Sequence, residues 1–215
     1  MFKTRGFGGA LILTVVATAT LLADHLGFKG STYPVSGAPR AVVAADLDDD
    51  GKVDFASADM LSNTVTLYRG EPGPEGRATP TEWGVLPLPS GAGPFDIKAA
   101  DLNRDGNNDL IVANADNNTV SIFAGGDDVP PALQATVDVG GSPRGVVAVD
   151  LNRDGQLDLA VTGANCNCLT VLRNGGGFTF AQAARITGLI SFRRGSCLRE
   201  RRDPHLAVTK ILEEA

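Results

Sequence analysis

The chain of 215 residues has room for one domain or two small ones, and its 43% hydrophobic and 20% charged residues exclude wholesale disorder. A formal net charge of −6 has the wrong sign for a protein held mainly to phosphate backbones, so no nucleic-acid partner is expected. The 26 Gly and 12 Pro imply many turns and short elements, and 3 Cys cannot all pair with one another, which excludes a disulfide-built scaffold.

Residues 1–23 open with Lys3 and Arg5, continue as an apolar run from Phe7, and end on Ala23 before Asp24 and His25. The run falls short of the ~20 residues a membrane-spanning helix needs, and Ala17-Thr18-Ala19 has the form of a cleavage site. An export signal is expected, with an uncleaved anchor as the alternative. A secreted, periplasmic or cell-surface location follows, with no membrane span in the mature chain.

From residue 31 the chain repeats itself. Segments 39–70, 94–125 and 143–174 align without gaps, each opening on Pro39, Pro94 or Pro143 and reaching Asp46, Asp101 or Asp150 at the same distance. Short apolar runs at 41–45, 97–100 and 146–149 enter an acidic loop, and runs at 55–58, 110–113 and 159–162 leave it. After Asn63, Asn118 and Asn167, apolar and polar residues alternate with the period of a half-buried strand. A fourth strand is expected just before each Pro, at 32–35, 85–88 and 136–139, where Pro34 and Pro87 suit an outer edge. Four short antiparallel strands per unit make a β-propeller blade. The expected fold is all-β: three four-stranded repeats over residues 31–180, a partial or truncated propeller.

The acidic loops read DLDDDGKVD, DLNRDGNND and DLNRDGQLD. Side-chain oxygens fall at positions 1, 3, 5 and 9: Asp46, Asp48, Asp50 and Asp54; Asp101, Asn103, Asp105 and Asp109; Asp150, Asn152, Asp154 and Asp158. Gly51, Gly106 and Gly155 at position 6 permit a sharp turn that would aim the carbonyls of Lys52, Asn107 and Gln156 inward. Hard oxygen donors, mostly anionic, suit Ca²⁺ better than a metal that prefers nitrogen or sulfur. Up to three structural Ca²⁺ ions are therefore expected. These are not EF-hands, because position 12 holds Ser57, Val112 and Val161 in place of a bidentate Glu. The reduced ligand charge predicts affinity in the extracellular range, about 10⁻⁴–10⁻³ M.

With its Gly37-Ala38-Pro39, Gly93-Pro94 and Gly141-Ser142-Pro143 openings, each leading to an Asp loop, the chain resembles the FG-GAP/VCBS repeat proteins. Similar calcium-bearing propeller units occur in the head of integrin α subunits. The resemblance covers roughly residues 32–180. It implies a secreted or surface propeller with structural Ca²⁺ in each blade, serving adhesion or protein interaction, and it names no ligand.

Residues 175–180 begin like the outer strand of a fourth unit, but no fourth Asp loop follows. Arg193, Arg194, Arg199, Arg201 and Arg202 make residues 181–215 an atypical basic tail of little expected structure. Cys166 and Cys168 are expected as unpaired decorations of a hairpin tip, since a bond across one residue would be strained, and Cys197 as a free thiol. Asn117-Asn118-Thr119 fits a glycosylation sequon, meaningful only on a eukaryotic secretory route.

A noncatalytic binding module is the leading expectation, with an extracellular protein or surface ligand as its partner. The alternatives are an accessory propeller of a secreted hydrolase or lyase, or a fragment of a larger propeller protein. His25 and His205 both lie outside the repeats, so no Ser-His-Asp or Cys-His pair can form within them, and no catalytic or organic-cofactor residues are assigned. Trp83, Tyr33 and Tyr68 are too few for a recurring sugar-stacking site. Three blades would leave two apolar flanks exposed, which predicts self-association or a partner covering the ends.

Overall fold

Each apolar run of the repeat becomes a strand. The computed structural model describes residues 32–71 and 80–187. The chain divides into two units, Met1–Pro34 and Val35–Ala215, and every strand below lies in the second. The first blade comprises β1 (Pro39–Ala45), β2 (Asp54–Asp59), β3 (Thr64–Arg69) and β4 (Thr81–Pro87). The second comprises β5 (Pro94–Ala100), β6 (Asp109–Asn114), β7 (Thr119–Ala124) and β8 (Ala132–Asp138). The third comprises β9 (Pro143–Val149), β10 (Asp158–Gly163), β11 (Cys168–Asn174) and β12 (Phe180–Thr187). Each blade is a four-stranded antiparallel sheet with its strands in chain order, and none closes into a barrel. Register repeats with the sequence: Ala56 faces Leu67, Ile111 faces Ile122 and Ala160 faces Val171. So do the irregularities, with a shift after Leu67, Ile122 and Val171 in the pairing to each outer strand.

The sheets stack through their innermost strands, β5 lying beside both β1 and β9. Alternation along a strand then divides each blade's side chains between two neighbours. Leu110 and Val112 of β6 join Ala56, Val65, Leu67 and Ile97 in one core. Ile111 and Ala113 join Val146, Leu159, Val161 and Leu172 in the other. Because β6 is covered on both faces, all six of its residues are buried, and its middle, Leu110 to Ala113, reads as a continuous apolar run. The hydrophobic stabilisation of the fold therefore sits between blades.

Several expectations are corrected here. Residues 32–35 form no strand, and the fourth strand of each blade follows its third instead of preceding its first. The reason is pairing: β4 finds its hydrogen-bond partner in β3, from Thr64 opposite Pro87 to Arg69 opposite Thr81. The third unit accordingly runs past residue 180, since β12 pairs with β11 up to Cys168 opposite Thr187. Residues 180–187 complete the third blade instead of opening a fourth unit or a tail. Cys166 and Cys168 are bonded as a disulfide, their Cα atoms 5.1 Å apart, because Asn167 between them takes a left-handed φ of 46°. The expected export signal at 1–23, the basic stretch from Arg193, Cys197, His25 and His205 lie outside the described residues. Among those described, no helix is long and apolar enough to cross a membrane.

The two outer flanks differ. Val42 is 68% exposed, whereas its equivalents Ile97 and Val146 are buried against a preceding blade. Behind it the flank of the first blade is polar: Asp59 is buried, accepting from Ser57 Oγ at 2.7 Å, from Thr66 Oγ1, and from the Ser36 amide at 3.2 Å. On the third blade Val147 and Val149 are exposed. Among the described residues both flanks keep exposed valines, Val42 and Val85 on the first blade and Val147 and Val149 on the third, and the two differ in the buried polar network that lies between the valines of the first.

Candidate metal centre

In each blade the Asp loop joins the innermost strand to the second, and backbone geometry makes the three copies superimposable in kind. Position 6 is left-handed in all three, with φ of 82°, 99° and 84° at Gly51, Gly106 and Gly155, which a side chain would strain. The freed amide donates to the first carboxylate: Gly51 to Asp46 at 2.9 Å, Gly106 to Asp101 at 3.0 Å and Gly155 to Asp150 at 3.0 Å. The position-7 amide donates to the carboxylate at position 5, from Lys52 to Asp50, Asn107 to Asp105 and Gln156 to Asp154. These bonds fold the loop around its own acidic side chains.

The sequence did not point to a second left-handed residue, at position 4. Asp49, Arg104 and Arg153 have φ of 55°, 66° and 61°, an uncommon setting for Arg. Gly70 and Gly125, which end the first two repeat segments, have a structural role that spacing alone does not reveal. A Cβ there would collide with the carbonyl of Val53 or Asn108, so the end of the third strand crosses the loop at backbone distance. In the third blade Asn174 takes that place, donating to the carbonyls of Leu102 and Leu157.

Positions 1, 3 and 5 converge in the first loop, where ligand atoms of Asp46, Asp48 and Asp50 all lie within 4.8 Å of one another. In the other two loops an Asn at position 3 bridges to position 5, Asn103 Nδ2 to Asp105 at 2.7 Å and Asn152 Nδ2 to Asp154 at 2.8 Å. Position 9 stands apart as a buried brace. Asp54 accepts from the Leu47 and Gly70 amides, both at 2.8 Å. Asp109 accepts from Leu102 and Gly125, and Asp158 from Leu151 and Asn174. Each ties the start of the loop to the end of the third strand.

Charge is unevenly balanced. Burial pushes the Asp109 carboxyl up to about 6 even though two amides pull it down. Burial, followed by the charge of Asp54, raises Asp48 as well, while Arg69 opposes the rise. Asp50 is lowered by its bond to Lys52, and Asp154 by the Gln156 amide and then by Asn152. The donor set fits a hard divalent cation. Oδ1 of Asp46 and of Asp150 is buried and accepts no hydrogen bond, as is Gln156 Oε1, and buried acceptors of that kind call for a positive partner. Asp101 differs, its Oδ1 accepting from the Arg104 amide at 2.7 Å.

Comparison with known proteins agrees with this architecture. A solved structure described as a 6-phosphogluconolactonase from Bacteroides uniformis is similar at a TM-score of 0.53 and 15% identity, covering 75% of this chain and 46% of its own. BBS1N in complex with ARL6DN, soaked with mercury, gives 0.49 and 18%, covering 74% and 44%. The chain thus spans about half the length of these proteins, and the first likeness shows the fold alone. No curated protein matches the sequence. The model of the FG-GAP-like repeat matches residues 46–112 and again 101–161. Those two overlapping matches cover more than half of the chain, each starting in one Asp loop and ending in the strand that leaves the next, and the protein belongs to the FG-GAP-like repeat family.

Proposed function

We propose that this protein is a calcium-stabilised β-propeller module that works by binding outside the cytoplasm and not by catalysis. Family membership supports a repeat module over a catalytic domain. The observation carrying the calcium reading is the buried, unpartnered position-1 oxygen of Asp46 and Asp150, set in loops whose other donors are carboxylates and amide oxygens. Positions 1, 3 and 5 and the position-7 carbonyl form the ligand set, taken from Asp46, Asp48, Asp50 and Lys52 and their equivalents, while Asp54 and its equivalents at position 9, whose oxygens already accept two amides, brace the loop behind it. With affinity of about 10⁻⁴–10⁻³ M, such sites fill at extracellular calcium and remain empty in the cytosol.

Calcium at ten times its dissociation constant adds about 1.4 kcal/mol per site, enough to raise the melting temperature by about 3–6 °C for each. A thermal scan in chelator should therefore melt several degrees below one in millimolar calcium. Identical curves would sink the calcium reading.

The flanks bear on partners. The exposed Val147 and Val149 of the third blade sit where the cores of the other blades continue into a neighbour. A second copy of this chain or an extracellular protein covering that face completes the stacking. Light scattering of the 215-residue chain with calcium is expected to give species larger than a monomer, and Val147→Glu to shift them toward the monomer. A monodisperse monomer in the unsubstituted chain would count against association through this face.

A further inference from the structure

Charge count alone ranks the first loop as the strongest calcium site, because it has Asp48 where the others have Asn103 and Asn152. The structure places two cations in that loop. Arg69 Nε lies 2.6 Å from Asp48 Oδ2, off the hydrogen-bonding direction, and Nη2 lies 3.4 Å from Asp50 Oδ2. Lys52 Nζ lies 2.7 Å from the same Asp50 oxygen. We propose that Arg69 is a resident cation of the first loop, competing with calcium for Asp48 and Asp50, so that the most acidic loop is the weakest calcium site. The proposal rests on the calcium reading above and refines it.

Position explains why only one blade has this device. The residue before the brace's second amide donor is Arg69 in the first blade, Ala124 in the second and Arg173 in the third. Ala124 cannot reach its loop, and among the described residues no Lys or Arg pairs with Asp101 or Asp105. Arg173 reaches Asp154 only at 3.5 Å, with its side chain 62% exposed. Arg69 is only 25% exposed and is held from the far side. Asp128, from the β7–β8 connection of the second blade, takes Nη2 at 2.7 Å, and the Trp83 ring lies 5.8 Å from the guanidinium carbon. The Asp128 amide also donates to the Asp48 carbonyl at 3.0 Å, fixing this anchor against the loop. A calcium ion coordinating Asp48 and Asp50 must displace the guanidinium from both oxygens while Asp128 keeps it close, leaving two positive centres near each other.

Calorimetric titration of the 215-residue chain with calcium is expected to resolve two sites and a third at least ~10-fold weaker. Arg69→Met should tighten that third site by at least ~10-fold. Because Arg69 also holds Asp128, a reciprocal variant keeps the test independent of its folding: Ala124→Arg leaves the first blade untouched and should weaken one of the two strong sites by a similar factor. Circular dichroism of each variant checks that its strands are retained. Three equal sites in the unsubstituted chain, or titrations unchanged in both variants, would overturn the role of Arg69. No heat and no melting shift with calcium in any of the three proteins would overturn the calcium reading itself.

Discussion

Asp109→Ala is expected to lower the unfolding free energy by about 2–5 kcal/mol, and by nearly the same amount in calcium and in chelator. The substitution strands the buried Leu102 amide and the part-buried Gly125 amide, which without an acceptor cost about 1–3 kcal/mol each, the second toward the lower end. Asp101→Ala should behave differently. Its carboxylate accepts from exposed loop amides that water can satisfy, so the loss is expected to be about 1 kcal/mol in chelator and larger in calcium. Urea denaturation of both variants with and without calcium separates a brace from a ligand. Equal calcium dependence in the two would mean that position 9 acts chiefly through the metal.

Phe123→Ala is expected to cost about 3–5 kcal/mol, the usual range for truncating a fully buried aromatic. Phe123 is 1% exposed and packs between the first two blades with Leu47, Leu67, Ile97 and Leu110. Leu172→Ala, in the core between the second and third blades, should cost about 2–5 kcal/mol. The two clusters share no residue, so the double variant should approach the sum of the singles. Chemical denaturation measures all three. A loss below about 1 kcal/mol for Phe123→Ala would show that the blades are held by their loops and not by the core between them.

The number of blades, their three inner strands and the loops between them were legible from residues alone. Strand period and Asp-Gly turn chemistry are local, and the same pattern appears three times from Pro39, Pro94 and Pro143. Position 6 is a case of this kind: only Gly sits comfortably at the φ that the loop requires, so Gly51, Gly106 and Gly155 announce the turn. The left-handed Arg104 and Arg153 carry no such mark, since nothing about Arg favours that conformation and the loop imposes it.

Tertiary structure decided which strand closes each blade, which acids stay free and which blade faces bury their side chains. Residues 32–35 and 81–87 both have the composition of an edge strand, and only pairing along β3 selects the second. The Asp at position 9 reads in the sequence like any other loop carboxylate; it becomes a brace because the chain returns at Gly70, Gly125 or Asn174 to place an amide against it. Arg69 meets Asp128 across 59 positions of sequence, through the docking of two blades whose connecting residues share no repeat pattern. Periodicity and turn chemistry act over a few residues and can be read in a line. Ion pairs, buried amides and exposed flanks depend on distances that exist only once the sheets have stacked.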